Sequence, residues 1–133
     1  YILGHLGDGA IGLKNGKNIK LISEPENGES INSTYFFTSE DASNHLRLKK
    51  GKIDKNLTFF LMSDGCFECV YDKNEEKFTK ALYRFIDWTK KQSEKKASEA
   101  IFYNIKEHFT QKTSDDISLS ILDIYKSKSS QNK

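Results

Sequence analysis

The hydrophobic pattern of the chain changes character near its middle. Leu57–Met62 reads Leu-Thr-Phe-Phe-Leu-Met and runs straight into Ser63-Asp64-Gly65. An apolar run closed by turn residues predicts a fully buried strand. The Asp64 carboxylate then stands where a core strand ends and the chain turns. Upstream, Ile2, Leu6, Ala10 and Ile11 are set among glycines. Asn15-Gly16 is a strong two-residue hairpin signal joining this stretch to Asn18–Ser23, where Ile19 and Leu21 alternate with polar residues. The pattern predicts an opening hairpin with Gly7-Asp8-Gly9 in its first arm. Glu24–Ser33 reads as a surface loop, Thr34–Ser39 as a short strand, and Glu40–Asn44 as a polar linker. His45–Lys49 reads as an edge strand whose lysines discourage stray pairing. That makes about five strands in the first half, mostly antiparallel neighbours.

Downstream the period lengthens. Phe78, Leu82, Phe85, Ile86 and Thr89 form a helical stripe, predicting a helix over Phe78–Gln92. Ser93 is placed to cap a second helix, Glu94–Gln111, with Glu94 in its first turn. Ala97, Ile101, Ile105, His108 and Phe109 mark its buried face, so His108 reads as a core histidine. Ser114–Tyr125 alternates Ile117, Leu119 and Ile121 with serines, a half-buried strand with Asp115 and Asp116 at its start. Lys126–Lys133 reads as a disordered Ser/Lys tail, leaving residues 1–125 as the folded part.

Composition narrows the picture. The chain has 133 residues, 36% hydrophobic and 30% charged, enough for one domain with a core. A net charge of +2 is too mild to argue for nucleic acid or a membrane surface, and neither is expected as a partner. No apolar run reaches the roughly 18 residues of a membrane span. No signal peptide pattern opens the chain, so a cytoplasmic location is expected. Tyr1 reads as lying inside a strand, and we expect the chain to be part of something longer. Cys66 and Cys69 form a CxxC after the core strand, which suits a redox site. The only proline, Pro25, lies upstream rather than beyond the cysteines, and the histidines His5, His45 and His108 are too scattered for zinc. The pair reads as buried, reduced thiols.

The remaining chemistry lies in the acids. Asp64 leaves one buried strand and Asp115-Asp116 opens another. If those strands are adjacent and antiparallel, the carboxylates meet at one end of the sheet, with Asp8 a third candidate. Oxygen donors alone favour Mg²⁺ or Mn²⁺ over Zn²⁺.

Gly7–Gly9 (GDG), the apolar strand with Ser63–Gly65 (SDG), two helices and Ser114–Leu122 (SDDISLSIL) occur in the order found in another group of proteins. In this the chain resembles the metal-dependent, type 2C serine/threonine protein phosphatases, particularly their bacterial branch. The resemblance covers nearly the whole chain and the C-terminal half of that catalytic domain. It implies an α+β fold, an antiparallel β-sandwich flanked by helices in four layers (α-β-β-α). It also implies that Asp64 and Asp115 bind one metal of a binuclear Mn²⁺ or Mg²⁺ centre, while Asp8 and Glu68 assist a weaker third ion. Asp116 stands where the family usually has Asn, so the choice between Asp115 and Asp116 stays open. In the intact enzyme the resemblance implies a water shared by two metals about 4 Å apart that attacks a phosphoprotein monoester directly.

The early metal-binding Asp, the bridging Asp-Gly motif and the phosphate-binding Arg of the family's first half do not occur here. The chain alone is therefore expected to bind metal weakly and to be inactive, with the missing N-terminal half as a partner. Half a sandwich exposes an apolar face, so self-association is also expected. The alternatives are a catalytically dead phosphatase-like domain for binding or signalling, and a CxxC redox module.

Overall fold

The central strand forms where its residue pattern places it. In the computed structural model, which describes residues 1–26, 28, 34–53 and 55–125, β5 spans Leu57–Met62. It lies between β2 (Ala10–Asn15) and β8 (Leu119–Ile124), and β3 (Asn18–Ser23) completes a sheet of order β3-β2-β5-β8. All three pairings are antiparallel. The Asn15-Gly16 turn joins β2 to β3 as expected.

Strand alternation sorts the side chains onto two faces. Phe60 and Met62 of β5, with Leu119 and Ile121 of β8, face the helices and join the larger core cluster. This side is closed by α2 (Asp64–Val70), α3 (Lys80–Lys91) and α4 (Glu94–His108). Leu82, Phe85 and Ile86 are the buried stripe of α3, while Ala97 and the residue after α4, Phe109, anchor the last helix. A two-strand ribbon of β6 (Tyr71–Asp72) and β7 (Lys77–Phe78) links α2 to α3, and Phe78 packs edge-on against Phe60 at 5.2 Å.

The opposite face carries Leu13, Leu57, Phe59 and Ile124. A second antiparallel ribbon, β1 (Ile2–His5) with β4 (Arg47–Lys50), covers part of it through Tyr1 and Leu3. Tyr1 meets Phe59 edge-on at 4.8 Å. The chain is thus an α+β fold of helices and antiparallel sheets, with a ribbon, a sheet and a helical layer in succession. No helix among the described residues is long and apolar enough to cross a membrane.

β2 sits on β5 in a keyed register. The Phe60 ring occupies the space a side chain at Gly12 would need; a Cβ there would fall 1.9 Å from the ring. Only glycine at position 12 admits that ring.

Several expectations are corrected. The opening is not one long hairpin arm: β1 and β2 belong to different sheets, and Gly7-Asp8-Gly9 is the break between them. Gly7 makes the break, since its φ of +94° is a conformation other residues rarely adopt. Thr34–Ser39 forms no strand; it holds a single bridge at Thr34 and then turns, with Phe36 and Phe37 exposed. Ala42–His45, part of the expected linker and the first residue of the expected edge strand, forms a short helix, α1, and the strand β4 starts only at Arg47. Phe78 lies in β7 rather than at the start of α3. Ser93 occupies the N-cap position of α4 without a side-chain capping bond. His108 is exposed, because the buried stripe of α4 passes through Ile101, Ile105 and Phe109 instead. The expected tail, 126–133, and part of the 24–33 loop lie outside the described residues.

Candidate metal centre

β5 and β8 run antiparallel with Met62 opposite Leu119, so the end of one and the start of the other share a rim of the sheet. Ser63 fastens the two together. Its hydroxyl donates to the Asp116 carbonyl at 2.9 Å and accepts from the Ser118 amide at 3.0 Å. Its own amide donates to the Ser118 carbonyl at 3.1 Å. The same hydroxyl caps α2 by accepting from the Cys66 amide at 3.4 Å. One small side chain thereby fixes where β5 ends, where α2 begins and where the strand carrying Asp115 approaches.

Gly65 lets that approach be close. A Cβ at this position would meet the Asp116 carbonyl oxygen at 2.7 Å and the Asp115 Cβ at 3.1 Å. Because Gly65 has none, Asp115 reaches Asp64. Asp115 and, more weakly, Asp8 act on Asp64 through their charges. Burial, opposed by the Gly65 amide at 2.8 Å, and then the neighbouring Asp115 and Asp8 charges hold the Asp64 carboxyl above its usual range.

Asp8 is carried to this end by its loop. A Cβ at Gly9 would meet the Met62 carbonyl oxygen at 2.8 Å, so the loop lies against the last residue of β5. The loop is held from behind by Arg47, which donates to the Gly7 carbonyl at 3.0 Å, and by the Glu26 amide on the same oxygen at 3.0 Å. Arg47 also donates to His5 Nδ1 at 3.1 Å. That nitrogen must therefore accept, which makes His5 neutral with its proton on Nε2. Burial first, then the Arg47 charge, keep His5 below the usual histidine range.

Among the described residues, every charged side chain acting on Asp64 is another acid. Paired carboxylate oxygens of this kind suit a hard divalent cation. The set is a pair with a more distant third member; among the described residues no three His, Cys, Asp or Glu side chains cluster closely enough to hold a metal ion. Glu68 stands one turn along α2 from Asp64, exposed and ion-paired with Lys73 at 3.5 Å. Asp116 contributes its backbone carbonyl to Ser63. The pattern of residues pointed to the acids and missed Ser63 and Arg47. Serine before Asp-Gly looks like an ordinary turn residue, and Arg47 gave no signal along the chain.

Cys66 and Cys69 are free and buried. Burial and the neighbouring Cys69 push the Cys66 thiol up to about 12, and burial raises Cys69 as well. Neither supplies the thiolate that redox chemistry near neutral pH requires.

A family model described as protein phosphatase 2C matches residues 1–102, a span that includes Asp8, Asp64 and Glu68 and ends before Asp115. No curated protein and no solved structure matches the chain.

Proposed function

The chain belongs to the protein phosphatase 2C family, and on that premise we propose that it forms one side of a Mn²⁺- or Mg²⁺-dependent site for phosphoserine and phosphothreonine monoesters on proteins. The observation that carries this reading is the approach of Asp64 and Asp115, far apart in sequence, at one rim, where among the described residues only other acids act on Asp64 by charge. These two carboxylates would hold the metal, with Asp8 adding negative charge and Glu68 further out. When bound, the metal supplies an activated water and neutralises charge on the phosphoryl oxygens. The chain's own residues set the geometry: Ser63 locks the two strands, Gly65 admits Asp115, and Arg47 holds the Asp8 loop in place. The opposite side of such a centre has no counterpart in this sequence, so the chain alone binds metal weakly and does not turn over substrate. Leu61 and Leu122, left exposed on the ribbon side of the sheet, support a further protein surface there, from the rest of the domain or from a second copy.

A second reading is a phosphatase-like domain that binds without catalysis. The absence of a closed three-ligand cluster among the described residues favours it. Calorimetric titration with Mn²⁺ tests the shared premise. Wild type should bind saturably, and Asp64→Ala should weaken binding about tenfold or more with its circular dichroism unchanged. Equal affinity in a folded Asp64→Ala protein would remove the metal role. Hydrolysis of a phosphoserine peptide, measured with any sequence preceding Tyr1 in the gene restored, separates the two readings.

A further inference from the structure

Away from the acidic rim, α3 and Lys14 of β2 border an open cleft of about 350 Å³, lined by Lys14, Tyr83, Arg84, Ile86, Asp87 and Lys90. Lys14 lies opposite Thr58 on β5, on the order of 13 Å from Met62 at the pitch of a strand. The cleft is therefore separate from the Asp64–Asp115 pair. Buried Ile86 gives it an apolar wall.

Three cations line the cleft beside one acid, Asp87, which pairs with Lys91 at 2.5 Å, and a second acid, Asp123, acts on Lys14 and Lys90 from beyond the lining. Lys90 keeps only a 3.9 Å contact with Asp123, whose two oxygens already accept from Thr58 and Thr89. Arg84 is exposed and makes no ion pair or hydrogen bond among the described residues. Lys14 and Lys90 stand close enough to repel each other. Burial, and then this repulsion, draw Lys14 below the usual lysine range against the opposing charges of Asp87 and Asp123, and its ammonium also donates to the Gly16 carbonyl. Lys14, Arg84, Lys90 and Lys91 outnumber Asp87 and Asp123, so the cleft keeps an excess of positive charge that an entering anion would offset.

We infer that this cleft binds a phosphate-class oxyanion, either free phosphate or the phosphoryl group of a phosphorylated peptide. A tetrahedral dianion satisfies the set better than a single carboxylate does. Arg84 offers paired N–H donors, Lys14 and Lys90 add point charges, and the Tyr83 hydroxyl donates at the mouth. The cleft sits at the small end of the usual range for ligand pockets, room for a phosphoryl group and a short attachment.

The test is calorimetric titration of the whole chain in EDTA, so that no metal at the rim takes up phosphate. Sodium phosphate, a phosphoserine peptide and the same peptide unphosphorylated are the three ligands. Saturable binding of either phosphorylated ligand, without binding of the unphosphorylated peptide, is expected, and the tighter of the two names the source. Arg84→Gln, exposed and unpartnered, should fold normally and weaken binding about tenfold. Lys14→Gln should weaken it as well, and Asp64→Ala should leave it unchanged. No saturable heat from either phosphorylated ligand overturns the assignment. So does equal binding of the unphosphorylated peptide, or wild-type affinity in both the Arg84 and Lys14 variants.

Discussion

On the helix side of the sheet Phe60 is 0% exposed, enclosed by Phe78 and the α3 stripe; one position along β5, on the ribbon side, Leu61 is 44% exposed. Leu122 of β8, on the same side, is 54% exposed. The two faces are equally apolar in sequence and differ only in what lies over them. Three helices close one; the β1–β4 ribbon reaches Leu13, Leu57 and Phe59 on the other and stops short of Leu61. An unbroken apolar run therefore does not say how each of its residues is covered, and the chain itself supplies cover for one face and part of the second.

Paired truncations give the widest contrast. Phe60→Ala should cost about 3–5 kcal/mol, since the ring fills both the core and the space over Gly12. Leu61→Ala should cost well under about 1.5 kcal/mol, because little of the removed surface is buried within one chain. Urea denaturation measures both. Comparable losses at the two positions would mean that the ribbon side is covered after all. Sedimentation of the Leu61 variant should also show weaker self-association than wild type.

Each side has a polar fastening, and Ser63 is the one beside the helices. Ser63→Ala removes a helix cap together with the bonds to Asp116 and Ser118, and should cost about 1–2 kcal/mol. Mn²⁺ affinity should fall with it, because Asp115 loses its placement. Loss of stability without loss of metal affinity would separate the fastening from the site.

The ribbon side is fastened by His5, which accepts from Arg47 and lies 2.7 Å from the Ser23 hydroxyl. Its folded-state pKa lies below the unfolded value of about 6.5. The unfolded chain therefore takes up the proton first, and this contribution is complete above the unfolded pKa and lost as pH falls through it. Asp64 works in the opposite direction: its raised pKa means that metal-free protein gains stability as acid neutralises it. Comparing melting temperatures at pH 7.5 and about 5.5 for wild type and His5→Gln isolates the histidine. The acid-induced drop should shrink in the variant; an unchanged drop would show that the proton goes elsewhere. This is the smallest of the three effects.

The parts legible in the sequence are those governed by a single period. β5, β8 and the stripes of α3 and α4 follow from apolar spacing, and the antiparallel neighbourhood of β5 and β8 brings Asp64 to Asp115. The parts that were not legible depend on partners distant in the chain. Thr34–Ser39 has a strand's composition and finds no ladder to join. Gly7 looks like a weak strand residue until its φ of +94° is known. Ser63 and Arg47 act through bonds to backbone groups of other segments, for which spacing along the sequence carries no mark.

The seating of Phe60 over Gly12 has a consequence beyond packing. It works as an indexing notch: β2 can click onto β5 at one setting, and Asp8, just upstream of β2, rides with it. Sliding by one residue would displace Asp8 by about 3.3 Å and turn the Gly12 gap to the wrong face. The aim of one carboxylate at the rim is thus set by a missing side chain near the middle of the strand, and any side chain grafted there would be felt as a misalignment at the far end.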